Sequence, residues 1–450
     1  MNLAVNADQS HTQNDILPGG LGFRDLTVIM VTTVIGAGIF GLMGSTIAQT
    51  GYSAWLAWIA AMVFGLLLCA PQLVVGSMTR LMGGEYSILS TTMGKTITGI
   101  YSLCYLSSPL GLGTLGIALG SYLAAIFPGV DSRILAFIAI TALFITNIFG
   151  VKFMAKVQNL LTVFLFLGMA IYVVVGLGHI SQPVFSFSDP EFFSGGLNGF
   201  ISAVVIASMG TQGIKLSINY SREARDPTKD VAPVSLVSAV IVAVVYALLA
   251  IVTVGTVPLS VSAGGVMTSS AQAFLQGPLY LLFAIGAPIF AIATSLSSNF
   301  ASMRVPVERA CELNFLPDFL AKKNKYGVSY IILIIMYIAC LLPAVFQVPI
   351  DTWLGYTTLI NSTVPLLVTT ACIMLPAKRK DLWEKRRLRI PVGVYYLLCI
   401  LSYVCTAVLF FNTLTRVTTF AAAVCVGIMI VIVGYAYLRI KSGKVRNDLI

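Results

Sequence analysis

Apolar stretches of about twenty residues follow one another along almost the whole chain, at about 24–49, 53–79, 97–127, 132–150, 156–178, 198–220, 231–256, 274–302, 329–348, 353–375, 391–412 and 417–438. Each is long enough to cross the roughly 30 Å hydrocarbon layer of a bilayer as a helix. The pattern predicts an all-α polytopic membrane protein with twelve transmembrane helices. Residues 1–22 and 441–450 read as tails, the first disordered and both cytoplasmic. Spans one to five fill 23–180, spans six to ten 195–376, and the last two 377–440.

Two spans are interrupted by glycine. The first reads Thr33-Val34-Ile35-Gly36-Ala37-Gly38-Ile39-Phe40, and the sixth carries Ile206-Ala207-Ser208-Met209-Gly210-Thr211-Gln212-Gly213-Ile214-Lys215. A helix in lipid satisfies its own backbone, so a break there costs several kcal/mol per orphaned group unless that backbone lines a cavity or holds a ligand. Spans one and six each open a block of five. Breaks at matching positions are what an inverted five-plus-five repeat produces, with a cavity between them at the midplane.

Composition agrees with the pattern: 58% of the 450 residues are hydrophobic, 10% are charged, and the mean hydropathy is +0.92. No soluble catalytic domain fits between the spans, whose longest connection, after span eight, is about 26 residues and amphipathic. A net charge of +10 in a soluble chain would suggest nucleic acid, but here the basic residues sort by side. Even-numbered connections hold Arg80, Lys95, Lys152, Arg222, Arg225, Lys229, Arg304, Arg309 and the run from Lys378 to Arg389, whereas odd-numbered ones hold only Arg133 and Arg416. The basic side is cytoplasmic by this rule, both termini lie on it, and the expected location is the cell membrane. The N-terminus lacks the features of a signal peptide. Eight cysteines fall singly, without ligand spacing, and read as packing residues.

The seventeen acidic residues fall in tails, loops or span ends, with Glu85 in a loop, which argues against a carboxylate relay in the bilayer. His11 and His179 lie in the tail and at the outer end of span five, so neither a metal site nor a catalytic histidine is expected. Two lysines do enter apolar sequence: Lys156 near the start of span five and Lys215 in the inner half of span six. Each either snorkels to the headgroups or lies as a buried cation in a polar cavity.

Half-helix ends set the chemistry of a ligand. N–H groups around Ala37, Gly38 and Ile39 favour an anion, and carbonyls of Ile35, Ile206, Ala207 and Met209 favour a cation. A zwitterion such as an α-amino acid suits both, and glycine at 38 and 210 lets it approach the backbone.

Several motifs resemble the amino acid-polyamine-organocation transporter superfamily over nearly the whole chain, from about Gly22 to the twelfth span. Gly36-Ala37-Gly38-Ile39-Phe40 is similar to its G-[SA]-G-I-F, and Gly83-Gly84-Glu85-Tyr86 to its GG-x-Y. Glu223-Ala224-Arg225-Asp226-Pro227-Thr228-Lys229, with Pro233, resembles the loop after span six, and Arg304 with Asn314-Phe315-Leu316-Pro317 that after span eight. The resemblance implies a LeuT-like fold in which spans one, two, six and seven rock against spans three, four, eight and nine. It further implies that Lys156 places its ammonium where sodium-coupled relatives hold the ion, between spans one and eight, making the protein a sodium-independent exchanger or facilitator. Proton symport through Lys156 is the alternative.

Span six departs from the family pattern, with Met209 where many relatives carry a gating aromatic and Lys215 where many carry glutamate or asparagine. The expected substrates are small neutral amino acids, with acidic amino acids or amines as the alternative, the acidic ones if Lys215 faces the pocket. Gln212 and Asn299 are expected contacts, and Ser107, Ser108, Ser297 and Tyr356 are further candidates. No cofactor, metal or accessory subunit is expected, and the partners are the amino acid and the lipid bilayer. An intramembrane hydrolase would need a Ser-His, Asp-Asp or metal constellation that the spans lack. A channel would need a repeated filter, a transport-dead receptor would keep the same pocket, and a sodium symporter would use the hydroxyls of Ser295-Leu296-Ser297-Ser298.

Overall fold

A computed structural model describes residues 20–446 except 107, 128, 266, 347–349 and 415–418, and omits the side chains of 37, 125, 350–362, 412, 413, 419–422 and 424. Ser107, the side chain of Tyr356 and residues 1–19 of the expected tail therefore lie outside the described residues.

The first span is split into α1 (Phe23–Val34) and α2 (Ala37–Thr50), and α3 (Ala54–Gly76) is the second. Next, α4 (Glu85–Thr92) and α5 (Gly94–Tyr105) lead into α6 (Leu112–Ile126), and α7 (Ser132–Ile148) and α8 (Val151–Leu177) close the first block. The second block opens with α9 (Gly196–Met209), a 3₁₀ helix over Gln212–Ser221, and α10 (Pro227–Thr256). Two short helices, α11 (Leu259–Ser262) and α12 (Met267–Gln272), precede α13 (Gly277–Ala284), a π segment at Ile285–Ile289 and α14 (Phe290–Ser302). After α15 (Arg304–Glu312) come α16 (Tyr330–Val345) and α17 (Ile350–Lys378), and α18 (Lys380–Glu384) leads to α19 (Val392–Leu414) and α20 (Thr419–Lys441).

Among the described residues there is no strand beyond two isolated bridges, and seven helical stretches are long and apolar enough to cross a membrane, with three shorter apolar helices beside them. The chain is thus a polytopic helical membrane protein. Two sets of helices pack among themselves: α1 and α2 with α3, α9 and α10, and α6 with α7, α14 and α16. In lipid no hydrophobic force drives helices together, so close backbone approach through small residues does much of the work.

Two interruptions are additional to those the glycine pattern predicts. The third span loosens at a 3₁₀ turn, Ser108–Gly111, and the eighth carries the π segment around Pro288. Proline offers no N–H, so the hydrogen-bond register slips there and widens the turn. The bulge packs on α8 through glycine: a β-carbon on Gly286 would stand 2.8 Å from the Phe164 carbonyl oxygen, and one on Gly168 3.0 Å from the Ala287 nitrogen.

The tails are shorter than their sequence suggests. Leu21, inside the expected disordered lead, is buried and pairs with the loop after span six through Leu21 N–H to Glu223 O and Arg225 N–H to Leu21 O, both 2.8 Å. Val445 is likewise buried, and its carbonyl accepts from Lys95 Nζ at 2.6 Å. Each segment is held by one buried apolar side chain together with hydrogen bonds to neighbouring elements.

Candidate functional site

Both breaks form where glycine interrupts the spans. At the end of α1, Ile35 N–H donates to Val31 O and Gly36 N–H to Val34 O, each at 2.9 Å, before the backbone extends and α2 starts afresh at Ala37. At the end of α9, Gly210 N–H donates to Ala207 O at 2.9 Å and Thr211 N–H to Ser208 O at 3.1 Å, and the chain continues as 3₁₀ helix. Ten residues of 3₁₀ helix is long for that geometry, which in the middle of a span marks a hinge or strain.

The two breaks meet. A β-carbon on Gly38 would lie 2.5 Å from the Cα of Gly210, and one on Gly213 2.7 Å from the Thr33 carbonyl oxygen. Gly36 faces Ser295 of α14, whose Oγ donates to Thr33 O at 3.1 Å. Of the expected contact residues, Ile35, Ile39 and Ala207 are fully buried, Ile206 is half-buried and Met209 is 37% exposed. Ala37 opens α2. The first-turn N–H groups of α2 lack intrahelical partners and the carbonyl ends of α1 and α9 carry the opposite partial charge, so ends of opposite sign lie close together at the breaks.

Two side chains missing from the sequence reading hold this arrangement. Tyr246 of α10 donates its hydroxyl to Val34 O at 2.8 Å and lies 3.4 Å from Gly210 O, touching both breaks. Trp58 of α3 meets the Tyr246 ring edge-on at 4.9 Å and backs Gly210, where a β-carbon would come within 3.1 Å of its ring. The signal was available: an isolated tyrosine in an apolar run brings a hydroxyl that needs a partner when buried.

Three expected contacts turn elsewhere. Gln212 Nε2 donates to Ser208 O at 3.2 Å and Asn299 Nδ2 to Ser295 O at 2.8 Å, so both amides bond their own spans. Ser297 accepts from Asn147 Nδ2 at 2.9 Å and joins α7 to α14. Ser108 opens the 3₁₀ turn of span three.

Lys156 does not reach the space between spans one and eight. It is exposed on the outer face of α8, and Gln158 is the buried residue that points inward. Its Nε2 donates to Ser298 Oγ at 2.6 Å and to Thr32 Oγ1. Two residues along a helix turn through about 200°, so Lys156 and Gln158 occupy opposite faces. The inward stripe of α8 (Met154, Ala155, Gln158, Thr162, Leu165 and onward) contains no charge. Sequence proximity to Gln158 and Asn159 made Lys156 look polar-facing, but the turn assigns that role to the amide.

The sequence leaves open whether Lys215 faces the pocket. Its ammonium lies in electrostatic reach of Glu85 and of Cys69, on the side of α3 and α4. Glu85 is itself a correction: it opens α4 rather than sitting in an open loop and is only 4% exposed. Its Oε2 accepts from Tyr101 at 3.1 Å, and its N–H donates to Asn219 Oδ1 at 3.2 Å. The acid in electrostatic reach of Lys215 thus comes from the GG-x-Y segment, which local sequence around span six does not reveal.

The basic end of the bundle is closed by ion pairs. Arg304 contacts Glu308 at 2.9 Å and Glu223 at 3.4 Å, and Arg222 contacts Glu308 at 3.2 Å and Glu312 at 2.9 Å. Arg80 donates to the carbonyls of Ser221, Arg222, Ala224 and Arg225, capping the 3₁₀ helix, and Tyr220 donates to Ser298 O at 2.9 Å. Burial alone would raise the Glu312 carboxyl, but Arg222 and Arg309 hold it below the usual range. Burial dominates at Glu223 and pushes its carboxyl up to about 7 against the pull of Arg304. Among the described residues no cluster of His, Cys, Asp or Glu could hold a metal, and all eight cysteines are free and buried.

Comparison with known proteins agrees with this architecture. The family model described as amino acid permease matches residues 21–434. The serine/threonine exchanger SteT of Bacillus subtilis is 29% identical over 197 residues, 40% of this chain and 44% of that protein. The branched-chain amino acid permease BcaP of the same organism is 22% identical over 391 residues, covering 80% of this chain and 82% of that one. A methylthioribose transporter, again of Bacillus subtilis, is 25% identical over 323 residues, 66% and 68% of the two chains. With the family model running from Leu21 almost to the end of α20, and both glycine breaks within it, the chain belongs to the amino acid permease family of the amino acid-polyamine-organocation superfamily.

Proposed function

We propose that the protein carries small neutral, zwitterionic amino acids across the cell membrane by alternating access, as a sodium-independent exchanger or facilitator with both termini in the cytoplasm. The observation that carries this reading is the apposition of Gly38 and Gly210, which brings the N–H groups of α2 against the carbonyl ends of α1 and α9. An α-carboxylate and an α-ammonium match these two ends. Glu85, in electrostatic reach of Lys215, offsets its charge, which favours neutral over acidic substrates.

Sodium independence now rests on Gln158 rather than on Lys156. An amide donor on Thr32 and Ser298 occupies the hydroxyl oxygens that an ion between spans one and eight would use. A neutral amide does not titrate, so the residue that faces the space between spans one and eight supplies no proton carrier, and proton symport through Lys156 loses its support. The named substrates of SteT and BcaP, serine, threonine and branched-chain amino acids, agree with the proposed class.

Uptake of a radiolabelled amino-acid panel into proteoliposomes tests the reading. Serine, threonine, alanine or a branched-chain amino acid should enter, and aspartate, glutamate and arginine should compete poorly. Transport confined to charged amino acids would overturn it.

A further inference from the structure

A half-open pocket lies at the basic end, about 420 Å³ in volume, between Leu21, the start of α8, the loop after span six and the segment before α16. Its wall includes Glu223, Arg304, Lys152, Phe149 and Tyr326. The Oε2 of Glu223 is buried with no hydrogen-bond partner, while its Oε1 pairs with Arg304. Lys152, at the rim, has no hydrogen bond or ion pair among the described residues. Arg304 is engaged by Ala301 O, Glu308 and Glu223. Phe149 and Tyr326 form an edge-to-face pair with centroids 5.3 Å apart.

These groups select a ligand by elimination. Lys152 and Arg304 repel a simple cation, and Glu223 repels a simple anion. A molecule with an N–H cation at one end and a carboxylate at the other satisfies the unpartnered Oε2 and the unpaired ammonium together, and the volume is ample for an amino acid. We infer that this cavity is a second, cytoplasmic site for a zwitterionic amino acid, whose occupant locks the inner end of the first span. The lock follows from position. Leu21 leads straight into α1, the half-helix that must move when the transporter opens inward, whereas Lys152 and Tyr326 belong to α8 and the segment before α16. A ligand touching both sides resists that movement, so accumulated amino acid slows its own further entry. The inference rests on the proposed function for its ligand class and for the sidedness of the bundle.

Equilibrium binding counts the sites. Purified full-length protein is titrated with L-[³H]serine and, separately, L-[³H]leucine, beside Lys152→Glu and Gly38→Ala, with folding checked by melting temperature. For at least one probe the wild type should bind two molecules per chain and Lys152→Glu one; Gly38→Ala, if it folds, should also bind one. One molecule per wild-type chain, unchanged in Lys152→Glu, overturns the second site and leaves the central one standing. No binding of either probe to the wild type overturns the proposed function as well.

Discussion

A β-carbon on Gly38 would stand 2.5 Å from the Cα of Gly210, closer than real β-carbons approach anything. The two residues lie 172 positions apart and belong to different interrupted spans, so the contact couples the breaks themselves. Gly38→Ala or Gly210→Ala should cost about 1–3 kcal/mol in overpacking and lower uptake at least tenfold. Gly434→Ala, where an added β-carbon meets nothing within 4 Å, should transport normally. Initial uptake rates normalised to protein amount check both.

Tyr246 bridges the same two breaks from span seven. Tyr246→Phe keeps the ring contact with Trp58 and removes the bond to Val34 O, a loss of about 1 kcal/mol. Uptake should fall roughly fivefold with little change in melting temperature, because the hydroxyl positions hinge carbonyls more than it stabilises the fold. A large drop in melting temperature with unchanged uptake per folded molecule would contradict this role.

Gln158 and Lys156 make opposite predictions from two residues apart. Lys156→Ala should leave uptake within about twofold of wild type, since its side chain is exposed on α8. Gln158→Ala removes the donor on Ser298 and Thr32 and should depress transport or make it respond to sodium. Sodium titration of uptake in both variants separates them.

Glu85 and Lys215 should be coupled. Removing either charge alone takes away the electrostatic support that the other receives while buried and should lower the melting temperature. The double variant Glu85→Gln with Lys215→Met should regain more than half of the lost melting temperature. A double-mutant cycle with no coupling would place the lysine elsewhere.

At the basic end, Glu223 sets a pH dependence. Its carboxyl titrates at about 7 while buried and near the ordinary value of 4.5 once hydrated, so the closed end holds a proton that an opened end releases. Closure is therefore favoured below about 7 and loses that advantage as pH rises through it; Arg304 and Arg222 oppose the effect and Glu308 adds to it. Lowering internal pH from about 8 to 6 should slow inward opening, and Glu223→Gln should flatten the response. Internal-pH-dependent efflux from proteoliposomes measures this.

Fold class and both breaks were legible because glycine in an apolar span leaves a local mark, and Gly36, Gly38 and Gly210 all stand where the breaks form. What faces what was harder to read. Lys156 and Gln158 differ by two positions, a distinction that hydropathy cannot resolve and helical phase can. Lys215 comes into electrostatic reach of an acid 130 residues away, at Glu85, and Tyr246 finds its carbonyls in two other spans. Such partners are set by packing between spans, which no single stretch of sequence encodes. The interruption at Pro288 was visible as a residue, but its outcome as a π segment depends on the fit of Gly286 against α8.

The most direct test of the central claim is counterflow: proteoliposomes loaded with unlabelled serine, or in parallel leucine, are diluted into a trace of the same labelled amino acid without sodium or a proton gradient. A transient overshoot of label above equilibrium, abolished in Gly38→Ala, is the predicted result. Absence of any overshoot for either amino acid, or an overshoot that appears only with sodium, would contradict the account.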